Sequence, residues 1–440
     1  MKSKIILAMG LVSLLSMGAQ ARSFEPIGYK ASSMGGAGVA SSKNAMAAYY
    51  NPALLAKADN DVEIALGVGV GIVDNGAFES VNSLNDSRFF DLVDKYSAVS
   101  SIGSIDPNDL SVLQNGRDIV VGMNGEGSLI TPDAYLSVQI DSFSVGIIGS
   151  AETAAIAVID PAHNRLIFDN TANVPGQYVD IENASLVLQA EYEATSLEYA
   201  INSVGADGEP DLTYLAVDSL AVAELPLSYG HAFDVGFADL SVGGSFKFMQ
   251  GISHTGRVGL STEAGDITDK LTSSEKKSND FGIDLGLLLE PSFAEGLRIG
   301  MVGKNLNTPS FERNIGADIE LDPMLRVGIA YDIFESLEVA VDYDISENDT
   351  LLASSTGTYK TQYLGGGVNW HPVTWASIRA GLMENQASSY EGLIYTAGFA
   401  VGPEAFQLDL SAQVSAEDNE VDGESYPRAA RVNIALISRW

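Results

Sequence analysis

The chain has 440 residues and no cysteine, and that absence excludes several kinds of chemistry. Without thiols there are no disulfide bonds, no thiol catalysis and no zinc sites built on cysteine. Histidine is scarce as well, and the four histidines show none of the short spacings of metal-binding or hydrolase motifs: His163, His231, His254 and His371. Because no nucleophile motif accompanies them, the sequence predicts neither an enzyme nor a bound cofactor.

Basic residues are few, since 24 Lys and Arg stand against 58 Asp and Glu, for a formal net charge of −34. Phosphate contacts need basic patches, so this balance excludes a nucleic-acid surface and argues against docking on anionic lipid. Acidic loops in contact with solvent explain the charge most simply. Asp418, Glu420 and Asp422 have calcium-loop spacing, but Ala429 occupies the twelfth position, where such loops carry Glu. We therefore predict a solvated loop there in preference to a metal site.

Long hydrophobic runs are missing except at the N-terminus. Lys2 and Lys4 precede the apolar run 5–17, and small residues at Ala19 and Ala21 form a cleavage site. This pattern predicts a secretory signal peptide over residues 1–21, because the run is too short for a membrane anchor. No later stretch reaches the ~18 uninterrupted apolar residues of a transmembrane helix.

Apolar and polar residues alternate regularly from about residue 215 onward. In residues 337–346, apolar side chains share one face, while Glu338, Asp342 and Asp344 lie on the other. Carboxylates are unexpected in a packed core, so we predict that this second face lines a wet lumen and the first faces lipid. Short turns and long polar loops alternate between such segments, as in a transmembrane antiparallel β-barrel. We predict about fourteen strands, at 62–73, 123–141, 143–157, 217–233, 239–261, 279–292, 296–306, 322–334, 337–346, 359–373, 376–386, 394–402, 406–418 and 428–440.

The final segment shows the same alternation and ends on an aromatic residue. Tryptophan is favoured at the membrane–water boundary, so this strand is predicted to be a C-terminal assembly signal for the barrel-assembly machinery. Trp370 and Trp375 flank a turn and are predicted to mark that boundary too. A soluble β-sandwich or solenoid is the alternative, but no fixed repeat appears. The predicted signal lies on one strand face and comprises Val432, Ile434, Leu436 and Trp440.

Residues 22–60 precede the first strand and do not alternate. Gly35, Gly36 and Gly38 permit tight turns and close backbone approach, and the Asn51-Pro52 pair ends a short helix predicted over 45–50. A phosphate-binding loop is not predicted, because the Gly-Lys-Ser/Thr ending is missing. We predict a plug, or hatch, in the barrel, with a surface extension as the alternative.

The barrel is predicted to occupy residues 61–440, with long extracellular loops at 74–122 and 158–216. Helices are predicted within the first loop at Phe89–Ser101 and Asp109–Asn115. Residues 184–200 alternate like a strand, but a fifteenth strand would break the even count of such barrels. We therefore assign them to the second loop as a helix or a hairpin.

Two motifs carry a family resemblance: Met34-Gly-Gly-Ala-Gly-Val-Ala40 and Tyr50-Asn-Pro-Ala-Leu-Leu55. They resemble the opening of FadL-type outer-membrane proteins, and within that group the conjugal transfer protein TraF family is the most similar. The segments 321–332 and 362–370 extend the resemblance along most of the chain. It implies a monomeric barrel whose hatch gates a hydrophobic path that exits laterally. By motif position the hatch residues are Gly35, Gly36, Asn51 and Pro52.

Two functions follow as hypotheses. The first is a gated passive channel of the Gram-negative outer membrane for small hydrophobic compounds, although no Arg/Lys pair matches the fatty-acid carboxylate site of such transporters. The second is an envelope component of a conjugal transfer or secretion apparatus, which docks partner proteins through its long loops without transport. Thiol chemistry, as in the thioredoxin-like pilus-assembly protein also called TraF, is excluded by the lack of cysteine.

Overall fold

The computed structural model describes residues 24–97, 105–171, 175–260, 262, 272–352, 359–421 and 424–440. The predicted signal peptide, the end of the predicted helix at Ser101 and the candidate calcium ligand Asp422 lie outside these residues. Within them, no helix combines the length and the apolar character needed to cross a membrane.

Fourteen antiparallel strands form a closed barrel, which confirms the predicted fold class and strand number. The first strand pairs with the second and with the last, and this pairing closes the sheet. The strands are β1 Val62–Asn75, β2 Gly127–Ile140, β3 Phe143–Val158, β4 Tyr214–Asp234, β5 Ala238–Val258, β6 Lys276–Pro291, β7 Leu297–Lys304, β8 Met324–Phe334, β9 Leu337–Asp344, β10 Tyr363–Val373, β11 Ala376–Asn385, β12 Leu393–Val401, β13 Gln407–Ser415 and β14 Ala429–Arg439.

The period-2 pattern assigns the two faces of each strand as the sequence predicts. On β9, Val341 and Tyr343 are exposed on the outside, whereas Glu338, Asp342 and Asp344 are buried on the inside. Exposed apolar side chains continue around the barrel in the same way on the other strands. A band of this kind is the exterior of a membrane-spanning β-barrel.

Aromatic residues cluster on the outside at the short-turn end of the barrel. They sit beside the turns that join consecutive strands and are mostly half exposed or more: Phe143, Phe237, Phe293, Phe334, Trp370, Trp375, Phe406 and Trp440. Aromatic rings are favoured at the membrane–water boundary, so this ring marks one membrane interface. Both ends of the barrel sequence lie at this interface, because the start of β1 pairs with the end of β14.

Replacing Trp440 by Ala is expected to lower the amount of barrel in the outer membrane several-fold, because the closing strand loses its interfacial aromatic. Stability should change little, by roughly 0.5 kcal/mol, since the side chain is 62% exposed. Heat-modifiable gel mobility of membrane fractions measures the first effect, and denaturant unfolding of the refolded protein measures the second. Trp375→Ala, at an equally exposed position away from the terminus, is the matched control. Equal losses in the two variants would contradict an assembly signal at the terminus.

Strands β4 and β5 have 21 residues each, about twice the length needed to cross a membrane. Their loop-side halves, with that of β3, form a wall beyond the apolar band. Helices of the first long loop and part of the second loop pack on the outer face of this wall, against Ala155, Ala157 and Val217. Loops after β7 and β9 fill its inner face through Phe311 and Leu351. The described parts of the two long loops thus pack beside the extended wall.

The helices are α1 Ala47–Tyr50, α2 Ala77–Asp86, α3 Phe89–Ser97, α4 Pro107–Gly122, α5 Gln189–Thr195 and α6 Leu197–Asn202. Residues 184–200 therefore form mainly α5 and most of α6, and the strand count stays even as predicted. The first loop departs from its prediction at its end, because β2 begins at Gly127 and not near 123. Helix α4 spans residues 107–122 and is longer than the predicted 109–115. Asp106 caps its start, and Leu113 and Val120 pack in the apolar cluster outside the wall.

Candidate functional site

Residues 24–57, which we call the N-terminal segment, lie inside the barrel and are the candidate functional site. Nearly every residue is buried, although the segment contains only α1 and two 3-10 helices, Ala31–Ser33 and Pro52–Lys57. The last of these contacts β4, β5 and β6, and the first contacts β11, β12 and β13. The segment therefore touches opposite parts of the barrel wall.

Glycines on the inner wall make room for this segment, and we call them the glycine belt. A Cβ at Gly243 would lie 2.2 Å from the carbonyl carbon of Pro52, and one at Gly365 would lie 1.9 Å from the carbonyl oxygen of Gly35. No Cβ fits at such distances, so the backbone of the segment lies directly on the backbone of the wall. The belt comprises Gly230, Gly243, Gly286, Gly300, Gly328, Gly365, Gly367, Gly381 and Gly398.

The belt glycines are side by side on neighbouring strands. Gly243 pairs with Gly230 on one side and Gly286 on the other, and Gly367 pairs with Gly381. Single glycines in a strand carry no such information, which is why the sequence did not reveal the belt. The register of the sheet brings them together.

The predicted hatch glycines contact the wall through their backbone. Gly35 has a φ of +65°, and its N–H donates to the Thr396 hydroxyl at 2.9 Å. The N–H groups of Gly38 and Val39 donate to one carboxylate oxygen of Asp342, at 2.8 and 2.9 Å. Two N–H groups converging on one carboxylate oxygen fix the segment against β9.

Asn51 and Pro52 join the segment to β5 and β6. The Asn51 side-chain amide donates to the carbonyl oxygens of Val39 and Leu287, each at 2.9 Å, and its own oxygen accepts from the N–H of Ala53 at 3.0 Å. Asn51 therefore caps the 3-10 helix that begins at Pro52.

Charged side chains of the wall hold the start of the segment. Arg326 pairs with Asp344 at 2.5 Å, donates to the Phe24 carbonyl oxygen at 3.0 Å and lies 3.9 Å from the Phe24 ring centroid. Arg431 pairs with Glu25 at 2.7 Å and with Asp133 at 2.6 Å. Both guanidinium groups thus contact the segment and a wall carboxylate at once.

Further along, Arg298 donates to the Ala40 carbonyl oxygen at 3.0 Å, and Lys30 pairs with Glu338 at 3.0 Å. Tyr29 donates to Glu63 and Tyr50 donates to the Ile27 carbonyl oxygen. Burial raises the pKa of both phenols, so each remains a protonated donor over the physiological range.

The prediction that the inner carboxylates face a wet lumen is wrong for β9. Glu338, Asp342 and Asp344 are each less than 10% exposed, because the N-terminal segment and its basic partners cover them. The alternation identified the inward face correctly. Burial of that face by a distant part of the chain is invisible to period-2 analysis, which sees one strand at a time.

A sequence model of the family described as F plasmid transfer operon, TraF, protein matches residues 48–344, more than half of the chain. The chain belongs to this family. The match includes the end of the N-terminal segment and the first nine strands. No curated protein matches this TraF-family chain.

Solved structures give a second comparison. The toluene transporter TbuX of Ralstonia pickettii has 14% sequence identity, covers 94% of this chain and 98% of its own, and superposes with a TM-score of 0.50. The toluene transporter TodX of P. putida has 12% identity, covers 95% and 99%, and also has a TM-score of 0.50. At such identities the likeness shows the fold alone, a closed β-barrel over nearly the whole length of both chains.

The remaining predicted residues lie apart from the N-terminal segment. Val432, Ile434, Leu436 and Trp440 all point outwards, into the apolar band and its boundary. Asp418 and Glu420 are exposed in a loop hairpin, where Asp418 accepts from the Ser425 hydroxyl at 2.7 Å. Across the part of the chain that the structure describes, no three His, Asp or Glu side chains group as metal ligands.

Several buried polar atoms at the interface between segment and wall have no hydrogen-bond partner among the described residues. They include one carboxylate oxygen each of Asp133, Glu338, Asp342 and Asp409, and the ammonium nitrogen of Lys304. An unpaired buried polar atom costs about 1–3 kcal/mol unless water reaches it. The interface is therefore suited to hydration, unlike an apolar core.

Proposed function

We propose that this protein is a gated passive channel of the outer membrane, and that the N-terminal segment is its gate. The barrel is the pore-forming part, and the segment occupies its interior in the closed state. Export through the predicted signal peptide and insertion by the barrel-assembly machinery belong to the same proposal, as does a monomeric channel surrounded by lipid.

One observation carries the proposal: beside its apolar packing, the segment is anchored to the wall by buried polar contacts that water can replace. Asp342 accepts from Gly38 and Val39, and Arg326 holds Phe24 through one hydrogen bond and its ring. A filler that served stability alone would need only such apolar packing, as cores do, and no buried charges. Instead, the wall keeps charges that would remain solvated after the segment moved.

Deleting residues 22–57 behind the signal peptide tests the gate. We expect single-channel conductance in planar bilayers and solute-driven liposome swelling to rise strongly, because the belt and the inner charges become open to water. Heat-modifiable mobility must show that the barrel still forms. A correctly folded deletion variant with unchanged conductance would refute the gate and leave the barrel standing.

The strand pairing of the barrel wall indicates by which route a solute would leave the barrel. Strand β3 keeps one register with β2 and with β4 along its length. Within the described strands, the register shifts lie near short turns, at Asp332/Phe334 and Trp370/Val373. A wall paired this way favours an axial path over a lateral one. The small hydrophobic solutes suggested by the resemblance also remain a proposal, since the names of the solved relatives state toluene for those proteins only.

Docking of a transfer or secretion apparatus is the second candidate function, and the two long loops favour it. Residues 76–126 and 159–213 carry 18 acidic and 4 basic side chains. Their described parts pack in an apolar cluster on the outside of the barrel wall. A folded acidic surface suits a basic partner protein. Co-purification of transfer proteins with the wild type, lost on shortening these loops, would support this role. Conductance after deletion of residues 22–57 would not depend on it.

A further inference from the structure

A cavity of about 450 Å³, mouth included, lies at the loop side of the N-terminal segment. We call it the mouth cavity. Its floor is Glu25 and Pro26 of the segment, and its walls come from β1, β2, β10–β14 and the loop strand Lys360–Thr361. Its enclosed part is about 40 Å³, enough for an ammonium-sized group, and the open mouth leaves space for the rest of a ligand. A solute that entered from the loop side would reach this space before the segment.

Glu391 is the unusual residue of this cavity. Its side chain is almost fully buried, yet within the described residues no Lys, Arg or His lies within ion-pair distance of it. Its hydrogen bonds come from neutral donors, the Tyr363 hydroxyl at 3.1 Å and the Asn385 amide at 3.0 Å. Burial raises the pKa of Glu391, which expresses the cost of a carboxylate without a countercharge.

The basic group that lines the cavity cannot supply that countercharge. Arg431 already bridges Glu25 and Asp133, at 2.7 and 2.6 Å. A buried carboxylate is favourable only when it is paired, so the cavity is short of one positive charge. A cation that arrived with a ligand would supply it.

A second group in the wall also lacks a partner. The hydroxyl of Thr361 lines the cavity, is 2% exposed, and has no hydrogen-bond partner in the described structure. The other side of the cavity is apolar, formed by Leu129, Met383 and Ile394. The lining therefore combines an acidic end, a free hydroxyl and a hydrocarbon surface.

We propose that the mouth cavity binds a small organic cation, whose ammonium group pairs with Glu391 and whose hydrocarbon part contacts Leu129, Met383 and Ile394. The role of this site as the first binding site of an uptake path rests on the proposed channel function. Binding of the cation does not depend on that function. The acidic loops, with 18 acidic against 4 basic residues, raise the local concentration of cations at the entrance.

The chemistry differs from that of a hydrocarbon site. Toluene would leave Glu391 without a countercharge and the Thr361 hydroxyl without a hydrogen-bond partner, and it would remove water from both. An amine of similar size removes the same apolar area from water and also neutralises the buried carboxylate. The geometry thus selects for the cation over its neutral analogue.

Isothermal titration of the full-length protein in detergent at neutral pH tests the site, with benzylammonium and its neutral analogue benzyl alcohol as probes. We expect wild type to bind benzylammonium at least about tenfold more tightly, the ratio that 1.4 kcal/mol produces. Glu391→Gln should remove this preference, because the amide keeps its shape and neighbours but carries no charge. Glu384→Gln, at an exposed position on β11, is the matched control and should keep it.

Ile394→Trp covers the case in which the Glu391 variant does not form a heat-modifiable barrel. Tryptophan fills the cavity without altering its charges, so binding of both probes should be lost. Equal affinity of wild type for both probes, no binding of benzylammonium, or a preference retained in a folded Glu391→Gln variant would overturn the proposal. Binding without a conductance rise on deletion of residues 22–57 would overturn the gate alone, and the reverse result would overturn the cation site alone.

Discussion

Gly243→Val is expected to open the barrel permanently. Gly243 lies under Pro52, and even a Cβ there would come within 2.2 to 2.4 Å of the Pro52 and Ala53 backbone. A backbone on both sides cannot rotate away as a side chain can, so the 3-10 helix Pro52–Lys57 must leave the wall. We expect a loss of roughly 1–3 kcal/mol in the free energy of unfolding, typical of overpacking, and a conductance close to that of the deletion variant.

Gly244→Val is the matched control, one residue along the same strand. Gly244 faces outwards, and the nearest atom to its Cβ would be a Leu285 methyl at 3.5 Å, an ordinary contact. Valine favours strands and lipid, so this variant should keep both stability and a closed barrel. Single-channel recordings of the two variants, together with the protease sensitivity of the N-terminal segment, test whether the glycine belt holds the segment in place. A closed Gly243→Val barrel would show that the belt does not hold the gate.

Arg326→Met is expected to give the largest loss of stability, about 3–5 kcal/mol in the free energy of unfolding, since breaking a buried ion pair leaves Asp344 charged and unpaired. Both side chains are almost fully buried, and they share two hydrogen bonds, at 2.5 and 3.0 Å. The same substitution removes the contacts of the guanidinium with Phe24. Denaturant unfolding in detergent, followed by tryptophan fluorescence, measures the loss.

A double-mutant cycle separates the ion pair from the contacts with Phe24. Asp344→Asn keeps an oxygen for the N–H of Tyr363, 2.9 Å away, but removes the charge. The double variant should therefore lose clearly less than the sum of the single losses. The double variant still lacks the contacts between Arg326 and Phe24. Its conductance should therefore stay above that of the wild type, because the start of the segment is no longer held. Strictly additive losses would contradict a buried charge pair between β8 and β9.

The sequence predicted most strand positions within a few residues, for a physical reason. A strand between lipid and a polar interior must alternate apolar and polar residues. The two faces of each strand can therefore be assigned from its own sequence, without knowledge of its neighbours. The segment 337–346 shows the limit of that reasoning. Its carboxylates were assigned to the correct face but to the wrong surroundings, because what covers Asp342 is the backbone of residues 38 and 39, some three hundred residues away in the chain.

Only one side of the candidate site, the N-terminal segment, could be recognised from the sequence. Gly35, Asn51 and Pro52 stood out because they interrupt a chain that otherwise alternates. Their partners did not. A glycine such as Gly243 looks like any other strand glycine, and Glu391 looks like any loop carboxylate until the fold shows that it is buried without a cation.

By itself, the sequence determined that this protein is an acidic barrel of fourteen strands, which side of each strand faces lipid, and that a non-alternating segment precedes them. Those properties follow from local periodicity and composition, which need no knowledge of distant contacts. Only the tertiary structure decided that the segment lies on a belt of glycines, that the inner carboxylates are paired and covered, and that the cavity above them contains a buried glutamate with no countercharge among the described residues. Such features depend on strand register and on contacts between residues far apart in the chain, and register is fixed only when the whole sheet closes.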